Sequence, residues 1–560
     1  MVGCLLRHLA AAPVGAFALI CLMLLPRLGE APLGKTEGHR ALTGHEMVAT
    51  GEWVTPRLFG QLYLRKPPGQ YWLVAASESV FGANEFAWRL PSALATAGLA
   101  GFLAWTGRRW FGSAAGGWAA GLSVACLVPL WDQGLTADLD AAHNLAVAVA
   151  AVAMIELVAE PRRRKARWAW VVGGGLAMGA VLLTKVHAGL PLVAGAMIGS
   201  AVATSRWRGL AQPHVYAAIG VALVLPAAWA GLLLWEHGGL PADMRGVSEA
   251  AAPFDAAGAA AAVGGGLLAA LLCFAYGLPT TAALPLTMRR AKGRWRGLPG
   301  VAALSEVMPR KRAMLRAAAL AVYVAWLIYA LAGITNPRYL YPTLTLAPLA
   351  VAGLADAWRR GDVPAGAQAV IRAAGTAIAV IGGAGLAVVG VLLAVRNAEF
   401  APALAAVLVL LALGLGAAAV RAWWRHRAGA GAALTALVIG CASVPMVQVH
   451  GDERRGAWSY ASARVIGAEV ERGEAIYAHD VIWDVPHLLW YADRPIVGVD
   501  AALDRPQRLP DGAAWLVLSA DELAGFKKRG TAGLGEAIEL RPSEAGGGVG
   551  PVLLRYDPTR

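Results

Sequence analysis

DAAHNLAVAVAAVAMIELVAEPRRRK, running from Asp140 to Lys165, sets the class of this protein. Ala141 to Ala159 is an almost unbroken apolar run, close to the roughly 20 residues that cross a bilayer as a helix. Four cations follow at once: Arg162, Arg163, Arg164 and Lys165. Such a cluster in a short loop stays on the cytoplasmic side of a membrane. At the opposite end of the run stand two carboxylates, Asp138 and Asp140. Ionisable groups at the edge of a span face a protein cavity or water.

The same alternation fills the chain. Of its 560 residues, 58% are hydrophobic and 15% charged, and the mean hydropathy is +0.54. A soluble domain is roughly 45–50% apolar and about 25% charged, so soluble globular and disordered classes are excluded. Thirteen spans are predicted: 9–28, 89–107, 113–131, 141–159, 168–184, 187–204, 213–235, 261–287, 314–334, 339–357, 373–394, 401–420 and 429–447. With Arg7 and the N-terminus inside, the inside segments hold 25 Lys and Arg, and the short outside loops hold four: Lys185, Arg245, Arg338 and Arg396. That asymmetry sets the orientation. It also accounts for the net charge of +13 without a nucleic-acid partner. The first span reads as an uncleaved anchor. The five cysteines, Cys4, Cys21, Cys126, Cys273 and Cys441, lie in or beside apolar stretches. Neither a disulfide nor a cysteine metal site is expected.

This topology divides the chain into a transmembrane domain, 1–447, and an external region, 448–560. The latter reads as a small α/β domain, with a helix over 459–472 and strands near 475–483, 495–499, 514–518, 536–541 and 550–556. Ser519-Ala-Asp-Glu522 has the form of a capping box. The region serves either as a packing cap or in direct substrate contact.

The first external loop, 30–88, carries two amphipathic patterns. One runs from Glu37 to Thr50, with Ala41, His45 and Val48 on one face; the other runs from Gln70 to Phe81. Helices of this kind can lie on the membrane surface, with Trp53, Tyr71 and Trp72 at headgroup depth. Between them, Pro67 and Pro68 forbid a continuous helix and fix Arg65 and Lys66 in place. Those cations either snorkel or hold an anionic headgroup.

The loop from Thr36 to Ser92 contains Glu46-Met47…Gly51-Glu52-Trp53, then Pro56-Arg57-Leu58, Lys66-Pro67-Pro68…Tyr71-Trp72, Phe81-Gly82…Glu85-Phe86 and Arg89-Leu90-Pro91-Ser92. In this order the motifs resemble the first periplasmic loop of family 39 glycosyltransferases, which include bacterial aminoarabinose transferases and protein O-mannosyltransferases. The resemblance implies a polytopic α-helical C-type glycosyltransferase fold. It implies transfer of a sugar from a polyprenyl phosphate to a lipid, glycan or protein on the outer face of the cytoplasmic membrane, with inversion at the anomeric carbon. The family Asp that acts on the acceptor falls on Thr36, and its neighbour on Glu37. Glu37 is therefore taken as the substitute carboxylate, against the alternative that it stabilises a helix N-terminus. A functional acid of the family falls on Asp138 or Asp140. Lys185, in Thr184-Lys185, and Arg338, in Asn336-Pro-Arg338-Tyr-Leu-Tyr341-Pro342, also have counterparts.

The expected chemistry follows from charge. Phosphate is already a good leaving group, so cations at Lys66, Lys185 and Arg338 would stabilise the charge that grows on it. Glu37, Asp138 or Asp140 would orient or deprotonate the acceptor. His39, His45, Tyr71 and Tyr341 are candidate substrate contacts. No cofactor is expected. Some members bind zinc through a Glu just before the Lys, where this chain has Arg65, so no such site is expected here; another divalent metal is left open. Two other readings remain: an inactive homologue that binds polyprenyl-phosphate carriers, and a lipid or solute transporter.

Overall fold

In the computed structural model, the described residues are 12–159, 164–239, 256–285, 309–396, 401–441, 457–478, 486–498, 514–540 and 551–559, apart from a few single and paired positions. Arg7, Cys4 and Arg245 lie outside them, as does the whole basic segment 288–308.

The helices run in chain order: α1 (Ala12–Leu24), α2 (Lys35–Thr50), α3 (Gly69–Phe81), α4 (Glu85–Phe111), α5 (Ala114–Ser123), α6 (Val128–Gly134), α7 (Asp140–Ala159), α8 (Arg164–Thr184), α9 (Val186–Thr204), α10 (Pro213–His237), α11 (Ala256–Tyr276), α12 (Pro309–Leu331), α13 (Ala347–Arg359), α14 (Ala365–Arg396) and α15 (Ala401–Trp424). A shorter apolar helix, α16, covers Gly429–Ile439. Among the described residues, each of the thirteen predicted spans overlaps a helix. Among the described residues, six helical segments are long and apolar enough to cross a membrane by length and composition alone, six more are shorter apolar helices, and the 89–107 span lies within the 27-residue α4.

Two predicted spans are broken. The 113–131 stretch divides into α5, a 3-10 turn and α6, because Pro129 opens α6 without an N–H to continue the ladder. The 339–357 stretch starts as a 3-10 turn at Pro337–Leu340, passes through a helical turn at Tyr341–Leu344 and becomes regular only at α13. Pro342 and Pro348 each sit at a helix start, where a missing N–H costs nothing.

Small residues set the helix spacing. A Cβ on Gly195 would lie 2.4 Å from the Ala321 carbonyl oxygen of α12, and one on Gly199 would lie 2.7 Å from that of Ala317. This four-residue spacing lets two backbones touch, which is how apolar helices associate where lipid gives no hydrophobic drive.

The two amphipathic helices expected in the first loop form as α2 and α3, and α2 has a well-buried side. The buried side of α2 carries Glu37, Arg40, Ala41 and Met47, while His45 and Val48 are only half-buried. The helix is enclosed by α3 and the C-terminal region, which share one core: Leu33, Ala41, Met47, Tyr71 and Trp88 pack with Ile466, Val470, Leu488 and Trp515. Between α2 and α3 lies a two-strand hairpin, β1 (Arg57–Leu58) and β2 (Gln61–Leu62), turned by Phe59 at φ 50° and Gly60 at φ 78°, as a two-residue hairpin turn requires.

Beyond α16 come α17 (Ala457–Glu469), β3 (Ile476–Ala478), α18 (Pro486–Tyr491), β4 (Ile496–Gly498), β5 (Ala514–Leu518), α19 (Ala520–Lys528), β6 (Ile538–Glu539) and β7 (Val552–Tyr556). The sheet order is β4-β3-β5-β7-β6. β3 is parallel to β4 and β5, while β7 is antiparallel to β5 and β6. At α19, Ser519 and Glu522 exchange reciprocal capping bonds of 2.8 and 3.2 Å.

Candidate active site

The site forms where four chain segments meet at one end of the bundle. The segment 136–140 leads into α7, and its backbone is strapped down. Ser92 Oγ donates to the Asp138 carbonyl at 3.1 Å, and Gln70 Nε2 to the Ala137 carbonyl at 3.4 Å. Lys185 stands at the junction of α8 and α9. Arg338 lies in the 3-10 turn that Pro337 opens. Lys66 precedes Pro67 and Pro68, and α3 starts immediately after them. A Cβ on Gly69 would sit 2.6 Å from the Leu183 carbonyl oxygen, so only glycine lets the Lys66 corner press against the end of α8.

Five predicted residues come together here. Lys185 Nζ donates to Asp140 Oδ1 at 3.0 Å, and Arg338 Nε to Asp140 Oδ2 at 2.6 Å. Arg338 Nη2 also donates to Asp138 Oδ2. Lys185 lies 4.5 Å from the Tyr339 ring centroid, a cation–π distance. Asp138, Asp140 and Lys185 are buried, whereas the Arg338 side chain keeps 42% of its surface exposed. Lys66 is half-buried. Its pKa is lowered by burial first and then by the neighbouring charges of Arg40 and Lys185, against the pull of both aspartates.

The sequence reading missed Arg40. It is buried on α2, 3.7 Å from Asp138 Oδ1. Its Nη1 donates to the Tyr63 hydroxyl at 2.8 Å and to that of Tyr71 at 3.5 Å. The available signal was its place three residues after Glu37, on the same helical face. Burial alone would raise the pKa of Asp138. Arg40 and Arg338, helped by the Leu139 N–H, outweigh it and hold that carboxyl at about 2.

Glu37, expected either as a substitute carboxylate or as a helix N-terminal stabiliser, is held by four hydrogen bonds. Its Oε1 accepts from Arg89 Nε at 2.8 Å and from the Ala137 N–H at 2.9 Å. Its Oε2 accepts from Arg89 Nη2 at 3.2 Å and the Gly34 N–H at 2.9 Å. A carboxylate has about four acceptor positions, and these bonds take them. Glu37 thus caps α2 and holds the 136–140 segment from behind. Thr36 is exposed. His39 stacks on Tyr63, with ring centroids 5.5 Å apart, at the margin of the cluster. His45 lies away from it: Nδ1 is 2.6 Å from Glu78 Oε1, and the ring meets Trp490 edge-on at 4.8 Å. Tyr341 packs edge-on against Tyr276. Arg65 is exposed, and among the described residues no three His, Cys, Asp or Glu side chains gather as a metal would require.

Comparison with known proteins agrees with the motifs of the first loop. Residues 65–231 match the family described as Dolichyl-phosphate-mannose-protein mannosyltransferase. The undecaprenyl phosphate-alpha-4-amino-4-deoxy-L-arabinose arabinosyl transferase of Aeromonas salmonicida (strain A449) is 34% identical over 163 residues, 29% of this chain and 29% of that one. Its counterpart in Pseudomonas savastanoi pv. phaseolicola (strain 1448A / Race 6) is 41% identical over 76 residues, 13% of this chain and 14% of that one. The matches thus span less than a third of either relative. The crystal structure of ArnT from Cupriavidus metallidurans bound to undecaprenyl phosphate aligns over 97% of both chains, with a TM-score of 0.67 and 19% identity. The apo structure aligns over 98% of both, with a TM-score of 0.66 and 18% identity. The chain has the polytopic helical membrane fold of those ArnT structures, and its residues 65–231 resemble the family described as Dolichyl-phosphate-mannose-protein mannosyltransferase.

Proposed function

We propose that this protein is a membrane glycosyltransferase that takes a sugar from a polyprenyl-phosphate donor and passes it to an acceptor at the outer face of the cytoplasmic membrane. One observation carries the reading. Arg40, Lys66, Lys185 and Arg338 surround two carboxylates, Asp138 and Asp140, which leaves a surplus of two positive charges. A phosphate group is the simplest complement to such a surplus at a membrane boundary. The depressed pKa of Lys66 means that its ammonium gains from an anionic partner. The distribution of Lys and Arg supports an inside N-terminus and an outside C-terminal region.

Lys66, Lys185 and Arg338 hold the donor phosphate and stabilise it as the anomeric carbon–oxygen bond breaks. At a pKa of about 2, Asp138 stays ionised but is a weak base. It therefore orients the acceptor hydroxyl or amine rather than taking its proton in the resting cluster. When the donor phosphate draws Arg338 away, Asp138 loses a counter-charge and becomes more basic, which couples donor binding to acceptor activation. In-line attack inverts the anomeric centre. The aminoarabinose donor of the relatives suits this site as a candidate sugar, and lipid, glycan and protein remain open as acceptors.

The experiment is transfer from radiolabelled polyprenyl-phosphate sugar in proteoliposomes. Loss of transfer in Asp138→Asn, with donor still bound, supports the reading. Full transfer with both Asp138→Asn and Asp140→Asn refutes it. Thr36 and the fully engaged Glu37 favour one second reading, a homologue that binds the carrier without transfer. Carrier binding with no transfer to any acceptor class would establish it.

A further inference from the structure

At the far end of α7 and α9, away from the aspartates, a half-open cavity of about 480 Å³ is lined by Arg167, Arg206, Arg208 and His214, with Trp207 and the apolar Leu157 and Val158. Its volume falls within the roughly 300–1,000 Å³ of small-ligand sites. Among its described lining residues none is acidic. Its depth follows from helix geometry. Asp140 opens α7 and Lys185 precedes α9, whereas Leu157 and Val158 close α7 and Arg206 follows α9. Helices of 20 and 19 residues are about 30 Å long, the thickness of a bilayer's hydrocarbon core. The cavity therefore opens at the opposite membrane interface.

The segment 205–212 is built down onto the end of α7. Ser205 turns the chain at φ 55°, a left-handed conformation that non-glycine residues rarely adopt. Gly209 has no room for a side chain: a Cβ would lie 2.6 Å from the Val158 carbonyl oxygen. Arg206 Nη1 donates to the Ala159 carbonyl at 3.0 Å, and His214 Nε2 lies 3.0 Å from the Leu157 carbonyl. That bond uses one donor of the five on the Arg206 guanidinium. Arg206 and Arg208 are exposed, and Trp207 keeps 58% of its surface exposed. Arginine forks bind phosphate oxygens in pairs, and tryptophan favours headgroup depth.

We propose that this cavity binds the phosphate headgroup of an anionic membrane phospholipid. The phosphodiester sits between Arg206 and Arg208, and the first acyl carbons lie along Trp207 and Val158. The site is separate from the carboxylate cluster and does not depend on the transfer reaction.

The test is native mass spectrometry of the full-length, delipidated protein, titrated with phosphatidylglycerol, with phosphatidylcholine and with inorganic phosphate. Phosphatidylglycerol is retained at one site that phosphatidylcholine does not fill. Gln212 also lines the cavity, its Nε2 donating to the Arg208 carbonyl at 3.3 Å; Arg208→Gln and Gln212→Glu, at exposed positions that leave the Arg206 bond to Ala159 in place, each weaken that retention about tenfold or more. Lys66→Gln does not change it. Millimolar inorganic phosphate fails to displace the lipid. Equal retention of the two lipids, unchanged retention in both cavity variants, loss in Lys66→Gln, or displacement by free phosphate each overturns the proposal.

Discussion

Replacing Glu37 by Gln separates a structural carboxylate from a catalytic one. The side chains of Glu37 and Arg89 are each only 2% exposed, and the guanidinium also donates to the carbonyls of Leu28, Ala31 and Pro32. Gln keeps one acceptor oxygen but turns an NH2 toward donors that already point inward. It also leaves the Arg89 charge without its counter-ion. Removing one partner of a buried pair costs about 3–5 kcal/mol, or roughly a hundredfold to a few thousandfold in the folding equilibrium. Arg89→Met alone falls in the same range. The double variant loses less than the sum of the two, because it strands no charge. The assay pairs denaturation in mixed micelles, followed by tryptophan fluorescence, with the transfer rate per folded molecule. The expected result for Glu37→Gln is a large drop in the unfolding midpoint, with kcat per folded molecule within about threefold of the parent. A variant of unchanged stability whose kcat fell by the 10²–10⁴ typical of a lost acid–base group would refute the structural assignment.

Arg338→Gln removes a cation that bonds both aspartates, so donor affinity falls about tenfold or more in a carrier-binding titration. Carrier binding also weakens as pH rises through the pKa of Lys66, which burial and its cationic neighbours hold below 10.5. Lys66→Arg moves that fall to higher pH, and identical profiles for the two proteins would count against the assignment. Asp138, drawn from 3.8 to about 2, adds stability that is complete above pH 4 and is lost as pH falls toward 2. Asp138→Asn flattens that acid limb in a melting series. Gly69→Ala sets a methyl against the Leu183 carbonyl and forces the Lys66 corner off the end of α8. Transfer therefore falls at least tenfold, while an exposed control, Gly60→Ala, retains transfer even if its turn is strained.

What the sequence revealed follows from how local each signal was. Among the described residues, the helical stretches were readable because a span is a continuous run of one chemistry. Lys185 and Arg338 stood out as cations on the membrane face where cations are scarce, and both meet Asp140. The pairing of Glu37 was not legible because its partner, Arg89, lies 52 residues away, and no spacing rule connects the two. Arg40 was missed for a related reason: on its own helix it is one more basic residue, and only the approach of Tyr63, Tyr71 and Asp138 makes it part of a site. The amphipathic patterns of the loop helices do not say what covers them. The covering comes from residues near 466–515, late in the chain.

That covering bears on how the chain can be dissected. The Tyr491 hydroxyl accepts from the Leu33 N–H at 2.8 Å and donates to Glu85 Oε1 at 2.8 Å, which rivets both flanks of the first loop to a helix that emerges some 400 residues later. A stop codon after the last span would strip the roof from α2 and α3 and wet the back of the helix that carries Arg40. During synthesis, the corner that holds Arg40 and Asp138 therefore has to wait, half-assembled, for the tail to arrive.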